Sequence, residues 1–180
     1  MVAMDGWKRP MSWRDTGRRW VAPSPNLRTG SAALAYPGVA LLEATNVSEG
    51  RGTDAPFLLF GAPWLDPSKV RVDVPGFRLT PTRFTPKGSP AAPEPKHRDV
   101  ECAGFRIEVT DPKIADSWRL GVELLATVSG QPGFEWLRDG EALTTLLGTP
   151  GAPALAAGWR DDAPALAKWR AERRAALLYD

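Results

Sequence analysis

VALLEATNVSEGRGTDAPFLLFGAPW (Val39–Trp64) is the stretch on which the reading of this chain turns. An apolar run, VALL, delivers Glu43, Asn46, Ser48, Glu49, Arg51, Thr53 and Asp54 into one short polar loop, and a second run, FLLF, follows at once. Short, wholly apolar runs predict buried strands, here Val39 to Ala44 and Ala55 to Ala62. Gly50 and Gly52 flank Arg51, so the backbone there can take φ > 0 or approach a ligand closely. Carboxylates, an amide, hydroxyls and a guanidinium within twelve residues exceed what a connection needs. Loops held by rigid strands are where binding and catalytic groups concentrate. The alternative is a salt-bridged turn, with Glu49 or Asp54 on Arg51 and with Asn46 and Ser48 closing the bend.

Around this loop the composition is that of one ordinary domain. The chain has 180 residues, 43% hydrophobic and 24% charged, enough for a real core. Its 18 Pro and 17 Gly favour many turns and short elements over a helical bundle. A net charge of +2 does not argue for nucleic acid, and the excess sits in the first 29 residues, where six Lys/Arg face two Asp. The single cysteine, Cys102, excludes an intrachain disulfide and reads as a small buried residue. With His97 the only histidine, placed in a Pro- and Lys-rich loop as an exposed bystander, neither a zinc site nor a Cys–His nucleophile is supported. No apolar run is long enough to span a membrane, and the first residues lack the apolar core of an export signal.

Upstream, residues 1–29 have no period and little apolar mass, and read as a connector or the tail of something else. In Pro23-Ser24-Pro25-Asn26, the Asn26 amide either points in a fixed direction toward a ligand or caps a short helix beginning near Ser31. That helix, SAALAY, is expected to stop at Pro37-Gly38. Downstream, Phe77 to Thr85 carries Pro81 and predicts an edge strand or bulge. Lys87 to Asp99 is a Pro-rich loop. Gly104 to Thr110 alternates, Phe105, Ile107 and Val109 one way and Arg106, Glu108 and Thr110 the other, so its polar face could line a cleft. Asp111-Pro112 predicts a helix start, with Ile114, Trp118, Val122 and Leu125 on one face up to about Val128. Glu141 to Leu147, Pro153 to Ala157 and Asp162 to Tyr179 are further helix candidates, the last basic and amphipathic. The fold class is α+β: a small mixed or antiparallel sheet packed with helices and a helical C-terminal third.

The loop SEGRGT lacks the GK[ST] ending of a P-loop and the GxGxxG of a dinucleotide fold, which leaves a phosphoryl or acyl site with weak support. Asn46-Val47-Ser48 is a sequon of the kind that arises by chance. What remains is carboxylate chemistry. Glycosidases commonly use two carboxyl groups, about 5–5.5 Å apart for retention and about 6.5–9.5 Å for inversion. Glu43 and Glu49 are the candidates, with Asp54 or Glu108 also possible, and the same groups could instead only bind a sugar.

The ordered succession GW (6–7), TGRRWVAPSPN (16–26), ALAYPG (33–38), LLEATNVSEGRGT (41–53), PFLLFGAPWLD (56–66), CAGFRIEVTD (102–111) and LLY (177–179) resembles the NamZ family. These are bacterial, often exported exo-β-N-acetylmuramidases that remove N-acetylmuramic acid from the non-reducing end of peptidoglycan fragments. The resemblance implies an NamZ-type C-terminal domain over residues 30–180 and, in residues 1–29, a remnant of the junction to a Rossmann-like N-terminal domain that is absent here. It implies a saccharide cleft between the two domains, no cofactor, and a catalytic acid in the other half. Asn26, Glu43, Asn46, Ser48, Glu49, Gly50, Arg51, Gly52 and Thr53 become the cleft wall, with Arg51 suited to the lactyl carboxylate of muramic acid. Ala44 stands where the family has Gly, and Glu108 where His is expected. The alternative reading is a truncated, non-catalytic saccharide-binding or interaction module.

Overall fold

The computed structural model describes residues 2–147 and 163–179. Three antiparallel strands form the sheet in the order β1-β3-β2: β1 (Leu59–Ala62), β2 (Phe77–Phe84) and β3 (Cys102–Val109). The alternation in GFRIEVT does what it predicts, since Phe105 and Ile107 are buried while Arg106 and Glu108 are exposed. β2 lies at the edge, where Pro81 opposite Phe105 removes no central ladder bond. The register sets Leu59 and Thr80 either side of Arg106, and Arg78 opposite Glu108.

The inner face of the sheet carries Phe60 and Phe105, stacked with centroids 5.5 Å apart. Against it pack α1 (Gly30–Val39) and α2 (Ser117–Val128), so that Ala35, Val39, Leu120, Leu124 and Leu125 join the strand residues in one core. The two helices meet backbone to backbone. A Cβ on Gly121 would lie 2.4 Å from Gly38 O, and one on Gly38 would overlap Ser117 O. Side-chain oxygens cap both starts: Thr29 accepts from Ala32 N and Asp116 from Arg119 N.

Several elements differ from the sequence expectation. Val39–Ala44 is not a strand. α1 runs through Pro37-Gly38 to Val39 and passes directly into a 3-10 turn, Ala40–Ala44. Its buried residues Ala32, Ala35, Val39 and Leu42 recur at helical spacing, and contact with α2 outweighs the proline. The strand expected from Ala55 begins only at Leu59. α2 starts at Asp116 rather than Asp111, which leaves Ile114 57% exposed instead of on the packed face. α3 (Glu141–Leu147) forms as expected, and α4 (Ala163–Arg173) buries none of its residues. The candidate helix at Pro153 to Ala157 lies outside the described residues. No helix among the described residues is long and apolar enough to cross a membrane.

None of residues 2–29 is buried. They hold to one another and to the end of the chain: Trp13 meets Trp20 edge to face at 5.4 Å, and Trp7 meets Tyr179 at 4.8 Å.

Candidate functional site

The 3-10 turn after α1 and the first residues of β1 fix the two ends of the polar loop. Ser48 exchanges both backbone hydrogen bonds with Gly61, and Phe57 N donates to Glu49 O at 2.8 Å. Within the loop, Gly50 N donates to Ser48 Oγ, while Thr53 Oγ1 donates to Gly50 O and accepts from Ala55 N. Gly50 and Gly52 both have φ +79°, and protein backbone fills the space where their side chains would be: Leu59 O at 2.8 Å and Lys87 O at 2.5 Å. Their backbones thus pack against the fold rather than facing an open space.

The turn projects Glu43 and the loop projects Glu49 and Arg51 into one charged cluster. Arg51 Nη2 donates to Glu43 Oε1 at 2.7 Å, and Nη1 lies 3.7 Å from Glu49 Oε1. The Arg51 guanidinium also lies over the Phe57 ring, 5.2 Å from its centroid. The fourth member is Lys96, from the Pro-rich loop. Its ammonium donates to Leu42 O and Val47 O and lies 3.1 Å from Glu49 Oε2, an ion pair without hydrogen-bond geometry. Two carboxylates thus face two cations, in two layers. The Glu49 side chain is 4% exposed, while those of Glu43 and Arg51 remain 27% and 35% exposed. Burial pushes the Glu43 carboxyl above its ordinary pKa, with Arg51 opposing. Burial pushes the Lys96 ammonium below its ordinary value, with Glu49 opposing.

Asn46 is anchored rather than free. Its Nδ2 donates to Gly133 O at 2.7 Å and its Oδ1 accepts from Glu135 N, so the sequon asparagine spends its amide on the fold. His97 is not an exposed bystander: it is half-buried at φ +54°, and its Nε2 lies 2.6 Å from Asn46 O. Because a carbonyl only accepts, that nitrogen carries the proton. Asn26 does not cap α1, a task taken by Thr29; its amide donates to Ala91 O and ties the N-terminal segment to the Pro-rich loop. Asp54 pairs with nothing in the cluster, and Glu108 pairs with Arg78 on the outer sheet face at 3.0 Å. Salt bridges and turn bonds close the loop, as the salt-bridged alternative expects, with Glu43 joining Glu49 on Arg51 in place of Asp54. They leave Glu43 and Arg51 partly exposed and Asp54 exposed. Lys96 and His97 were missed because their hydrogen-bond partners lie 49 to 54 residues away, beyond any local pattern.

Thr53 and Asp54 turn the other way, into a groove of about 400 Å³ across the outer face of the sheet. A second hollow, lined by Glu135, Trp136 and Asp139, lies next to the Asn46 anchor.

A family model described as the C-terminal part of the exo-β-N-acetylmuramidase NamZ matches residues 34–179. The chain belongs to the NamZ family. It is 35% identical over 147 residues to the peptidoglycan β-N-acetylmuramidase NamZ of Bacillus subtilis (strain 168), covering 78% of this chain and 34% of that protein. It thus spans about a third of the length of that NamZ relative. The fold recurs in two crystal structures of DUF1343-family proteins from Bacteroides fragilis NCTC 9343. One has a TM-score of 0.76 at 18% identity over 97% of this chain and 49% of its own. The other has a TM-score of 0.57 at 24% identity over 88% and 44%. The α+β NamZ domain with its antiparallel sheet is the fold class expected from the sequence.

Proposed function

We propose that this chain is the C-terminal domain of an exo-β-N-acetylmuramidase that releases non-reducing-end N-acetylmuramic acid from peptidoglycan fragments. In this reading residues 30–180 supply one wall of the saccharide cleft, and residues 1–29 belong to the junction with a Rossmann-like domain. The observation that carries it is the family match over the loop, joined to the half-buried, solvent-reachable Glu43–Arg51 pair. In such a pair the carboxylate accepts from sugar hydroxyls and the fixed guanidinium donates to hydroxyl or acetamido oxygens. Between the two catalytic candidates, Glu43 has both access and a raised pKa, as a proton donor needs. Glu49 is too enclosed to touch a sugar, and its work is to hold Arg51 and Lys96 in place. Ser48, Gly50, Gly52 and Asn46 shape the wall through the bonds already described, and Asn26 sets the Pro-rich loop behind it.

The second reading, a non-catalytic saccharide-binding module, draws on the chain's covering 34% of its curated relative. Hydrolysis of a chromogenic N-acetylmuramide by the 180-residue chain alone would eliminate it. In a full-length family member bearing the same SEGRGT loop, the change matching Arg51→Ala should lower kcat/KM about 10–100-fold, the worth of charge-assisted hydrogen bonds. Unchanged turnover would remove Arg51 from the site.

A further inference from the structure

Arg51 carries no unspent charge. Glu43 and Glu49 together hold it, and with Lys96 included the cluster contains two carboxylates and two cations. A carboxylate arriving at Arg51 would meet Glu43, 2.7 Å from the same guanidinium, and would leave the cluster with net negative charge. The acidic group of a muramic-type sugar therefore needs a different cation.

The outer sheet groove offers one. Arg106 projects from β3 into it, exposed, and among the described residues its guanidinium has no hydrogen-bond or ion-pair partner. Two other cations at the rim are already paired, Arg83 with Glu101 at 2.7 Å and Lys87 with Asp99 at 2.9 Å. Thr82, which faces the groove two residues along β2 from the Arg106 level, adds a hydroxyl, while that of Thr53 is held within the loop. Asp54 lines the same groove with its carboxylate unpaired among the described residues, an acceptor suited to sugar hydroxyls. Half-buried Phe84 supplies apolar surface against which a pyranose ring rests, over the buried Leu59. A free guanidinium, a free carboxylate, a hydroxyl and an apolar side chain match a ligand that has a carboxylate, hydroxyls and a weakly polar ring face. The groove begins at Gly52, the residue after Arg51, so one loop borders both surfaces.

We infer that this groove is a second saccharide subsite, in which Arg106 receives the carboxylate of an acidic sugar along the same glycan. The inference rests on the proposed saccharide reading and moves carboxylate recognition from Arg51 to Arg106. Arg106 is a specificity-determining residue in this scheme, with Asp54 and Thr82 orienting the ring.

The test is a calorimetric or NMR titration of the 180-residue chain with a peptide-free N-acetylglucosamine–N-acetylmuramic acid tetrasaccharide. Chitotetraose serves as the uncharged analogue and inorganic phosphate as a bare anion. The acidic tetrasaccharide should bind more tightly than chitotetraose, and Arg106→Ala should weaken it about tenfold while leaving chitotetraose unchanged. Thr82→Val, which keeps the charge and the strand, should weaken both glycans by a smaller factor. Equal affinity of wild type and Arg106→Ala for the acidic glycan overturns the inference, as does phosphate competing as well as the glycan. The two readings fail separately. If Arg51→Ala abolishes binding and Arg106→Ala does not, the groove falls and the loop stands. If the reverse holds, the loop falls and the groove stands. If no glycan binds, both fall.

Discussion

Lys96 has its ammonium between two backbone carbonyls and the buried Glu49 carboxylate, so it fixes the position of the 3-10 turn and of the loop at once. Replacing it with Met keeps the length of the side chain but leaves Glu49 without its nearest cation and two carbonyls without a donor. Breaking a buried pair in this way costs about 3–5 kcal/mol. Urea unfolding of both proteins at pH 7 checks this: Lys96→Met should be the less stable by about that amount. A loss under about 0.5 kcal/mol would show that Lys96 does not hold the turn and the loop together. None of this was legible from residue 96 itself, a lysine in PAAPEPKHRD with no local partner. Glu43, Glu49 and Arg51 were legible as a group because they fall within one turn of chain, and that closeness also lets them neutralise each other.

At the scale of elements, the segments with a clear period were easier to read than the short apolar runs. In β3 the period of two is clear from Phe105 onward, because there one face meets the core and the other meets solvent. VALLEA was misread because a run this short and apolar throughout carries no period of its own. Its helical register appears only when Ala32 and Ala35 are counted with it, across a proline that normally ends such a count. What holds that stretch helical is the close crossing of α1 and α2, where Gly38 and Gly121 allow backbone contact and Ser117 Oγ donates to Leu34 O. Gly121→Ala gains helix propensity of up to about 1 kcal/mol and places a methyl 2.4 Å from Gly38 O. Because the obstacle is backbone, the helices must separate, and a net loss of about 1–3 kcal/mol is expected. Gly130→Ala is the control, since a Cβ there meets nothing within 4 Å, and it should change stability by less than about 0.5 kcal/mol. Thermal melts of the two variants decide the matter. Equal midpoints would mean that the crossing accommodates a methyl and does not set the position of the loop.

For the whole molecule, the argument concerns which parts of the chain share the core. The hydrophobic core draws on residues from Ala35 to Leu143, while α4 and residues 2–29 contribute no buried side chain. The two ends instead grip each other: Trp7 packs on Tyr179, Met4 N donates to the Tyr179 hydroxyl, and Arg9 donates to Tyr179 O at 3.0 Å. Large apolar side chains stay open along this region, with Val21 75% and Trp13 42% exposed. A segment with few buried contacts and mostly local backbone bonds opens at low free energy. Hydrogen exchange of the 180-residue chain should therefore find the amides of residues 2–29 exchanging orders of magnitude faster than those of β3, which open only with the core. The junction reading requires this weakness, because a segment that completes an adjoining domain has its packing partners there. Supplying those partners, in a full-length family member, should slow exchange across the same residues while leaving β3 unchanged. If residues 2–29 of the isolated chain are as protected as β3, they belong to this domain's own fold. The cleft wall would then have to be drawn without a junction behind it.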